Sequence, residues 1–391
     1  MERLTSWLAE RRNQGLLREL VPVERVGNGR LRLAGSPADL LWDFSSNDYL
    51  ALAEHPAVIS ESRKQLEELG AGSGAARLMS GDLSLHHRLE EEIARFKGTP
   101  AALIFGSGYL ANIGIIPALV GRGDLIFGDR LNHASIYDGC LLSGAKFQRF
   151  RHNDLEHLEE LLRRQRGKGE ALIVVESIYS MDGDRAPLKE LAALKDKYSC
   201  LLMVDEAHAT GIFGSRGSGV IEEDGVSAQV DVAMGTFGKA LGSYGAYAAV
   251  SSEMQAYLVN RARSFVYATA LPPAVVGASL AALTVVQNEP ERRLNLLAKA
   301  AFFKRCLQEN GVAGDFGHSQ IVPVLVGDST LALAAANLLR AAGLYVTPVR
   351  PPTVPEGTAR LRFSITLHHP DDLLRRAAEL VGRTLADFEQ S

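Results

Sequence analysis

Apolar positions along the chain recur in two rhythms. Short apolar runs of strand length occur at Ala101–Phe105, Leu125–Phe127, Ala171–Val175, Cys200–Val204, Asp231–Met234 and Ala246–Val250. Between them lie amphipathic stretches of helical period: His86–Phe96, Leu188–Tyr198, and Asp154–Leu162 with Leu155, Leu158, Leu161 and Leu162 on one face. Unbroken apolar strands alternating with helices predict an α/β fold whose mostly parallel sheet is covered on both faces. The pattern changes after about residue 288. Arg292–Glu309, Ala332–Ala342 and Asp371–Leu385 read as helices, and Ile321–Val326 and Leu361–Ile365 as strands, which predicts a smaller C-terminal α+β domain. At the other end, Leu4, Trp7, Leu8, Leu16, Leu17 and Leu20 form the stripe of a helix through the first 20 residues. A short β passage follows, with Gly27 and Gly29 as turn signals. The predicted division is 1–45 (helix and β segment), 46–288 (large domain) and 289–391 (small domain).

Composition narrows the class. The 391 residues are 46% apolar and 23% charged, with a net charge of −4 and with Lys and Arg dispersed, so nothing electrostatic points to nucleic acid or an anionic membrane. Three scattered cysteines (Cys140, Cys200, Cys306) make neither a disulfide framework nor a zinc site. Residues 1–12 lack the apolar core of a secretory signal. Two long uncharged stretches are too broken to span a bilayer: Gly98–Gly121 by prolines, glycines and Asn112, and Ser264–Asn288 by Pro272 and Pro273. The expected location is the cytoplasm.

In open parallel sheets, ligands bind beyond the carboxyl ends of the strands. Applied to the predicted strands, that rule collects Gly106-Ser107-Gly108-Tyr109, His133, Glu176 with Ser180, Asp205-Glu206-Ala207-His208 and Thr236-Phe237-Gly238-Lys239. Gly106-x-Gly108-x-x-Ala111 has three readings: a dinucleotide fingerprint with Asp129 as ribose acid, a single phosphate at a helix N-terminus, or a tight turn. No Walker loop precedes Lys239, because Ala233 stands where glycine is required and Ala240 where Ser or Thr is. An acid at a buried strand end is costly unless paired, so Asp205 either caps a helix, joins a structural ion pair or meets a ligand cation, and a lysine among glycines past a strand suits Schiff-base chemistry. A carboxylate for a pyridinium, a phosphate cup and a primary amine on one rim describe a pyridoxal-phosphate site.

These motifs carry a resemblance to the α-oxoamine synthases, fold-type-I pyridoxal-phosphate transferases that condense an amino acid with an acyl thioester and release CO2. It runs through Phe44-Ser45-Ser46-Asn47-Asp48-Tyr49-Leu50, Gly72-Ser73-Gly74, Asn132-His133-Ala134-Ser135, Glu176–Gly183 and Arg360-Leu361-Arg362. Arg350–Arg362 is most like the biotin-pathway branch, which uses L-alanine and a pimeloyl thioester carried by coenzyme A or an acyl carrier protein. Glu206 and Ala209 depart from that branch, which often has Asp and Gly there.

The resemblance implies that Lys239 bonds the cofactor, Asp205 pairs with its ring nitrogen, His133 stacks on the ring, and His208 and Ser180 bond its phenolic oxygen. The phosphate is expected on Gly108, Tyr109 and Thr236, with Thr269 reaching it from a partner subunit of a homodimer. On the substrate side it implies Arg362 for the amino-acid carboxylate, Asn47 and Glu176 as shaping groups, and Arg18 and Thr353 for the acyl substrate. Tyr179, Glu206 and Arg360 read as structural. Competing readings are a sister synthase (glycine with a short acyl thioester, or serine with a fatty acyl thioester), a nicotinamide dehydrogenase and a non-catalytic binding protein.

Overall fold

The computed structural model describes residues 1–35, 40–167 and 169–389. The chain forms two compact units: Met1–Tyr49, Met181–Asp184 and Asn295–Ser391 make the first, Leu50–Ser180 and Arg185–Leu294 the second.

In chain order, α1 (Glu2–Asn13) is followed by β1 (Val23–Gly27), β2 (Arg30–Leu33), β3 (Leu41–Asp43), α2 (Pro56–Leu69), α3 (Ser84–Lys97), β4 (Ala101–Phe105) and α4 (Gly108–Leu119). Next come β5 (Leu125–Asp129), α5 (Ala134–Ser143), β6 (Lys146–Phe150), α6 (Leu155–Gln165), β7 (Ala171–Glu176), α7 (Leu188–Tyr198), β8 (Leu201–Asp205), α8 (Val220–Asp224), β9 (Val232–Thr236) and β10 (Ala246–Val250). The chain closes with α9 (Ser252–Arg261), α10 (Arg263–Val266), α11 (Pro273–Asn288), α12 (Glu291–Glu309), β11 (Ile321–Gly327), α13 (Ser329–Ala341), β12 (Leu344–Tyr345), β13 (Thr347–Val349), β14 (Ala359–Ser364) and α14 (Asp371–Glu389).

The second unit is built on a seven-stranded sheet of order β4-β10-β9-β8-β7-β5-β6. Every residue of β4, β7 and β10 is buried, as expected of strands covered on both faces. Ile115 and Ile116 of α4 share one core with Leu103, Ile126, Leu172, Val174, Met203 and Val232. The sheet is mostly parallel, as the alternation predicted, with one exception: β10 runs antiparallel to both β9 and β4. The cause is the connection Phe237–Gly245, too short for the crossover of a dozen or more residues that a parallel return requires. That same short loop carries Lys239.

The first unit has two small sheets, β1-β2-β3-β12 and β11-β14-β13. Strand β3 pairs in parallel with β12, Leu344 opposite Trp42 and Tyr345 opposite Asp43. Phe44 packs edge-on against Phe363 at 5.5 Å and stacks on His369 at 4.1 Å. Residues 1–45, read as a separate segment in sequence, therefore group with the C-terminal elements. The opening helix is also shorter than its apolar stripe suggested. It ends at Asn13, and Gly15 at φ +65° turns the chain away, so Arg18 lies past the helix.

Candidate active site

Strands β7 and β8 pair in parallel with Glu176 opposite Asp205, so two carboxylates end adjacent strands, 3% and 4% exposed. Asp205 is held from two directions: Oδ1 accepts from the Ala207 N–H at 2.9 Å and Oδ2 from Asn112 Nδ2 at 3.0 Å. An ionised carboxylate has about four acceptor positions, so room remains for one more donor. Glu176 ties two loops together, Oε1 accepting from the His133 backbone N–H at 2.5 Å and Oε2 from the Ser180 N–H at 3.2 Å. Burial pushes the Glu176 carboxyl up to about 8, and the neighbouring Asp205 charge adds to this against Lys239 and the two N–H donors.

Lys239 is half-buried, with Nζ 2.8 Å from His208 Nε2. The Asp205–His208 segment leaves β8 and the Phe237–Gly245 loop leaves β9, so neighbouring strand ends bring amine and imidazole together. His133 caps α5 through its side chain: Nδ1 accepts from the Ser135 N–H at 3.2 Å and contacts Ser135 Oγ at 2.8 Å. His133 as a residue is exposed to solvent, while burial still acts on its ring. Enclosure lowers its pKa and Lys239 adds to that, with Asp205 and Asp138 opposing. Gly108 opens α4 behind the Ser107 cap, whose Oγ accepts from Leu110 N–H at 3.2 Å, so the Gly108 and Tyr109 N–H groups have no acceptor within the helix. A side chain at Gly108 would meet Thr236 Cβ at 3.9 Å, which puts the end of β9 beside that N-terminus.

Three expectations need refinement. The Thr236 hydroxyl serves its own turn, donating to the Gly245 carbonyl at 2.8 Å and accepting from Gly238 N–H at 3.1 Å. Thr269 is exposed, forms an antiparallel bridge with Ala76 and lines a cleft with Arg77, Gly106 and Phe265. Asp129, the acid of the dinucleotide reading, is 2% exposed and committed to its own loops, accepting from the Leu131 and Asn153 N–H groups and from His152 Nδ1 at 2.8, 2.9 and 3.0 Å. It offers nothing to a ribose.

In the first unit, Arg362 is 8% exposed; Nη1 donates to Ser364 Oγ at 2.7 Å, and the guanidinium lies 3.4 Å from Asn47 Oδ1 and Tyr49 OH. Arg18 Nη2 donates to Thr353 Oγ1 at 2.8 Å, joining the two acyl-side candidates although they are far apart in sequence. Arg350, which the sequence reading passed over, is beside them: its pKa is lowered by burial and by the Arg18 charge. Asn112 was also missed. It is a buried polar residue in an otherwise apolar helix just after the glycine turn, and that contrast is the signal that could have found it.

The donor set fits pyridoxal 5′-phosphate: a carboxylate for a protonated ring nitrogen, a primary amine for an aldehyde, an open imidazole face for an aromatic ring and a helix N-terminus for a phosphate. On this sheet, that combination makes the protein a fold-type-I pyridoxal-phosphate transferase. Residues 41–381 match the family described as aminotransferase class I and II, and the chain belongs to it. A protein of Geobacter sulfurreducens named 8-amino-7-oxononanoate synthase is 50% identical over 378 residues, 96% of each chain. Among solved structures, serine palmitoyltransferase from S. paucimobilis with a bound PLP–myriocin aldimine superposes with a TM-score of 0.93 at 30% identity, covering 100% of this chain and 98% of that one. An 8-amino-7-oxononanoate synthase from Francisella tularensis gives 0.76 at 29% identity, covering 90% and 99%. The cofactor is pyridoxal 5′-phosphate. Among the described residues, no helix is long and apolar enough to cross a membrane.

Proposed function

We propose that the protein condenses L-alanine with a pimeloyl thioester and releases CO2 and the free thiol, forming 8-amino-7-oxononanoate for biotin biosynthesis. The observation that carries this reading is the 50% identity, across 96% of both chains, to a relative bearing that name. The higher TM-score against serine palmitoyltransferase favours a sister synthase as the second reading, and the near-full-length identity outweighs it.

When bound, the cofactor supplies an aldehyde that condenses with amines and a ring that withdraws charge from the substrate α carbon. Asp205 holds the ring nitrogen in its protonated form, and the Gly108 and Tyr109 N–H groups take the phosphate, with the Thr236 hydroxyl after rotation. His208 and Ser180 bond the phenolic oxygen. Arg362 receives the alanine carboxylate on its guanidinium fork, with Asn47 and Glu176 shaping that side, and Arg18 and Thr353 bind the acyl substrate. The Lys239 Nζ takes the alanine Cα proton. The Cα electron pair then forms a bond to the thioester carbonyl carbon while the C–S bond breaks, and the sulfur leaves as a thiolate that takes its proton from solvent. His133 Nε2 donates to the carbonyl oxygen during that attack. The Cα–carboxylate bond breaks to CO2, and Lys239 returns a proton to Cα. The working form is a cytoplasmic homodimer in which Thr269 serves the partner's site; exposed Leu78 and Met79, close in sequence to its bridge partner Ala76, support a covered surface there.

The test measures thiol release over a panel of amino acids and acyl thioesters. Release with alanine and pimeloyl thioester, abolished in Lys239→Ala, is expected; faster release with glycine or serine and another acyl chain refutes the substrate assignment.

A further inference from the structure

Helices α4 and α5 touch where α5 carries Gly139, whose Cβ would lie 2.8 Å from the Asn112 carbonyl oxygen. A side chain there would hold the helices apart. One turn earlier on α5, Ser135 comes to the Asn112 side chain. Asn112 Nδ2 donates to Ser135 Oγ at 2.9 Å and to Asp205 Oδ2 at 3.0 Å. Asn112 and Ser135 are each 1% exposed. The amide orientation is set by its partner: an ionised carboxylate only accepts, so the NH2 group, not the oxygen, must face Asp205. Among the described residues, Asn112 Oδ1 is buried with no partner. A buried unsatisfied acceptor carries a real cost, and here it accompanies an amide that sends both its protons to Asp205 and Ser135.

Proton counting continues the chain. Ser135 Oγ accepts from Asn112, so its own proton is free for His133 Nδ1, 2.8 Å away. The Ser135 backbone N–H, which can only donate, also points at Nδ1, at 3.2 Å. A nitrogen receiving two donors carries no proton, so the single imidazole proton sits on Nε2. The lowered His133 pKa agrees with a neutral ring.

We propose that Asn112 and Ser135 are positioning residues, which lock His133 as the Nε2–H tautomer and bind its orientation to that of the Asp205 carboxylate. The inference rests on the roles given above to Asp205 and His133. It adds how both are set before substrate arrives: Nε2–H is the donor a thioester oxygen requires, and the opposite tautomer would sacrifice the α5 cap. One amide thus couples the group under the cofactor nitrogen to the group over its ring.

The test uses holoenzyme labelled with 15N at histidine, the His133 signals being assigned by their loss in His133→Asn. Wild type is expected to show a pyridine-type Nδ1 and a protonated Nε2. Ser135→Ala leaves the weaker backbone donor, so its Nδ1 and Nε2 shifts should move toward a tautomer mixture. Asn112→Leu removes the donor that orients the Ser135 hydroxyl and strips a donor from Asp205, and the cofactor dissociation constant should rise about tenfold to a hundredfold, as for loss of a hydrogen bond to a charged group. A protonated Nδ1 in wild type overturns the proposal. So do wild-type His133 shifts in Ser135→Ala, or, in a folded Asn112→Leu, cofactor affinity within about twofold of wild type. Should Asn112→Leu fail to fold, the wild-type tautomer and the Ser135→Ala shifts still decide. None of these readouts needs substrate, so a failed alanine panel leaves them intact, and unchanged shifts beside a normal panel sink this inference alone.

Discussion

Replacing Lys97 with Met should cost the second unit several kcal/mol, with a pH dependence that identifies the cause. Lys97 ends α3, and its Nζ contacts the Glu206 carboxylate and donates to the Ser218 carbonyl at 2.5 Å. The side chains are 2% and 0% exposed. Glu206 Oε1 accepts from the Ile221 N–H at 3.0 Å. Burial works against the Lys97 charge, but Glu206, with Tyr247 and Glu222, outweighs it and the ammonium pKa ends above its usual value. Methionine matches the lysine stem and leaves Glu206 buried without its cation, a loss of about 3–5 kcal/mol in buried pairs. Protonation of Glu206 sets a ceiling: taking a proton at pH 7 against a reference near 4.3 costs about 3.7 kcal/mol. Urea unfolding followed by circular dichroism should therefore show a deficit near that figure at pH 7. The deficit shrinks by about 1.4 kcal/mol for each pH unit lowered toward the glutamate range. Lys97→Met/Glu206→Gln should recover most of it at every pH. A deficit below about 1 kcal/mol at pH 7, or one indifferent to pH, refutes the claim that an uncompensated buried charge is the penalty.

Two other perturbations follow from the same physics. His369 is fully buried, accepting at Nδ1 from Thr366 N–H at 3.2 Å and bonded at Nε2 to the Asp43 carbonyl at 3.0 Å, and burial lowers its pKa to about 3. The folded value lies below the unfolded 6.5, so the unfolded chain binds more protons between them; stability is fully present above pH 6.5 and falls by about 2 kcal/mol by pH 5. Both tryptophans, Trp7 and Trp42, lie in the first unit, so their fluorescence in urea reports it; His369→Phe should flatten this pH slope, and an unchanged slope contradicts the assignment. Gly219 adopts φ +133° and ψ −174°, and a Cβ there would sit 2.3–2.5 Å from Glu206 carboxylate atoms. That region is essentially closed to other residues and costs about 1–3 kcal/mol before any clash, so Gly219→Ala should lower the urea midpoint by at least that much, whereas a neutral result denies the close approach.

What was legible in the sequence had local or periodic causes. The strands of the large sheet announce themselves because burial on both faces leaves only apolar residues, and the strand-end rule then finds Asp205, His208, Glu176 and Lys239 without any tertiary knowledge. Strand β6, Lys-Phe-Gln-Arg-Phe, escaped because it is an edge strand with only Phe150 fully buried. The antiparallel β10 was missed although the loop length that forces it was visible. Residues 1–45 looked independent because β3, besides its local partner β2, pairs with β12 some 300 residues downstream, and no local pattern encodes that second pairing. The overestimated first helix has a different origin: the leucine stripe continued past a glycine that stops the backbone. Asn112 and Ser135 stayed hidden because their importance lies in where they meet, across two helices brought close by Gly139.

The carboxylates show why this rim needs a cationic ligand. In register at adjacent strand ends, Glu176 and Asp205 cannot both be ionised cheaply in a buried setting. The rise in the Glu176 pKa expresses that repulsion on top of desolvation, while Asp205 has two donors of its own and an open acceptor position. A protonated ring nitrogen placed at that position would neutralise Asp205 and relieve Glu176 at the same time, so binding the cofactor should lower the Glu176 pKa and release part of a proton near neutral pH. The repulsion between the two carboxylates thus becomes part of the affinity for a cation of the right shape.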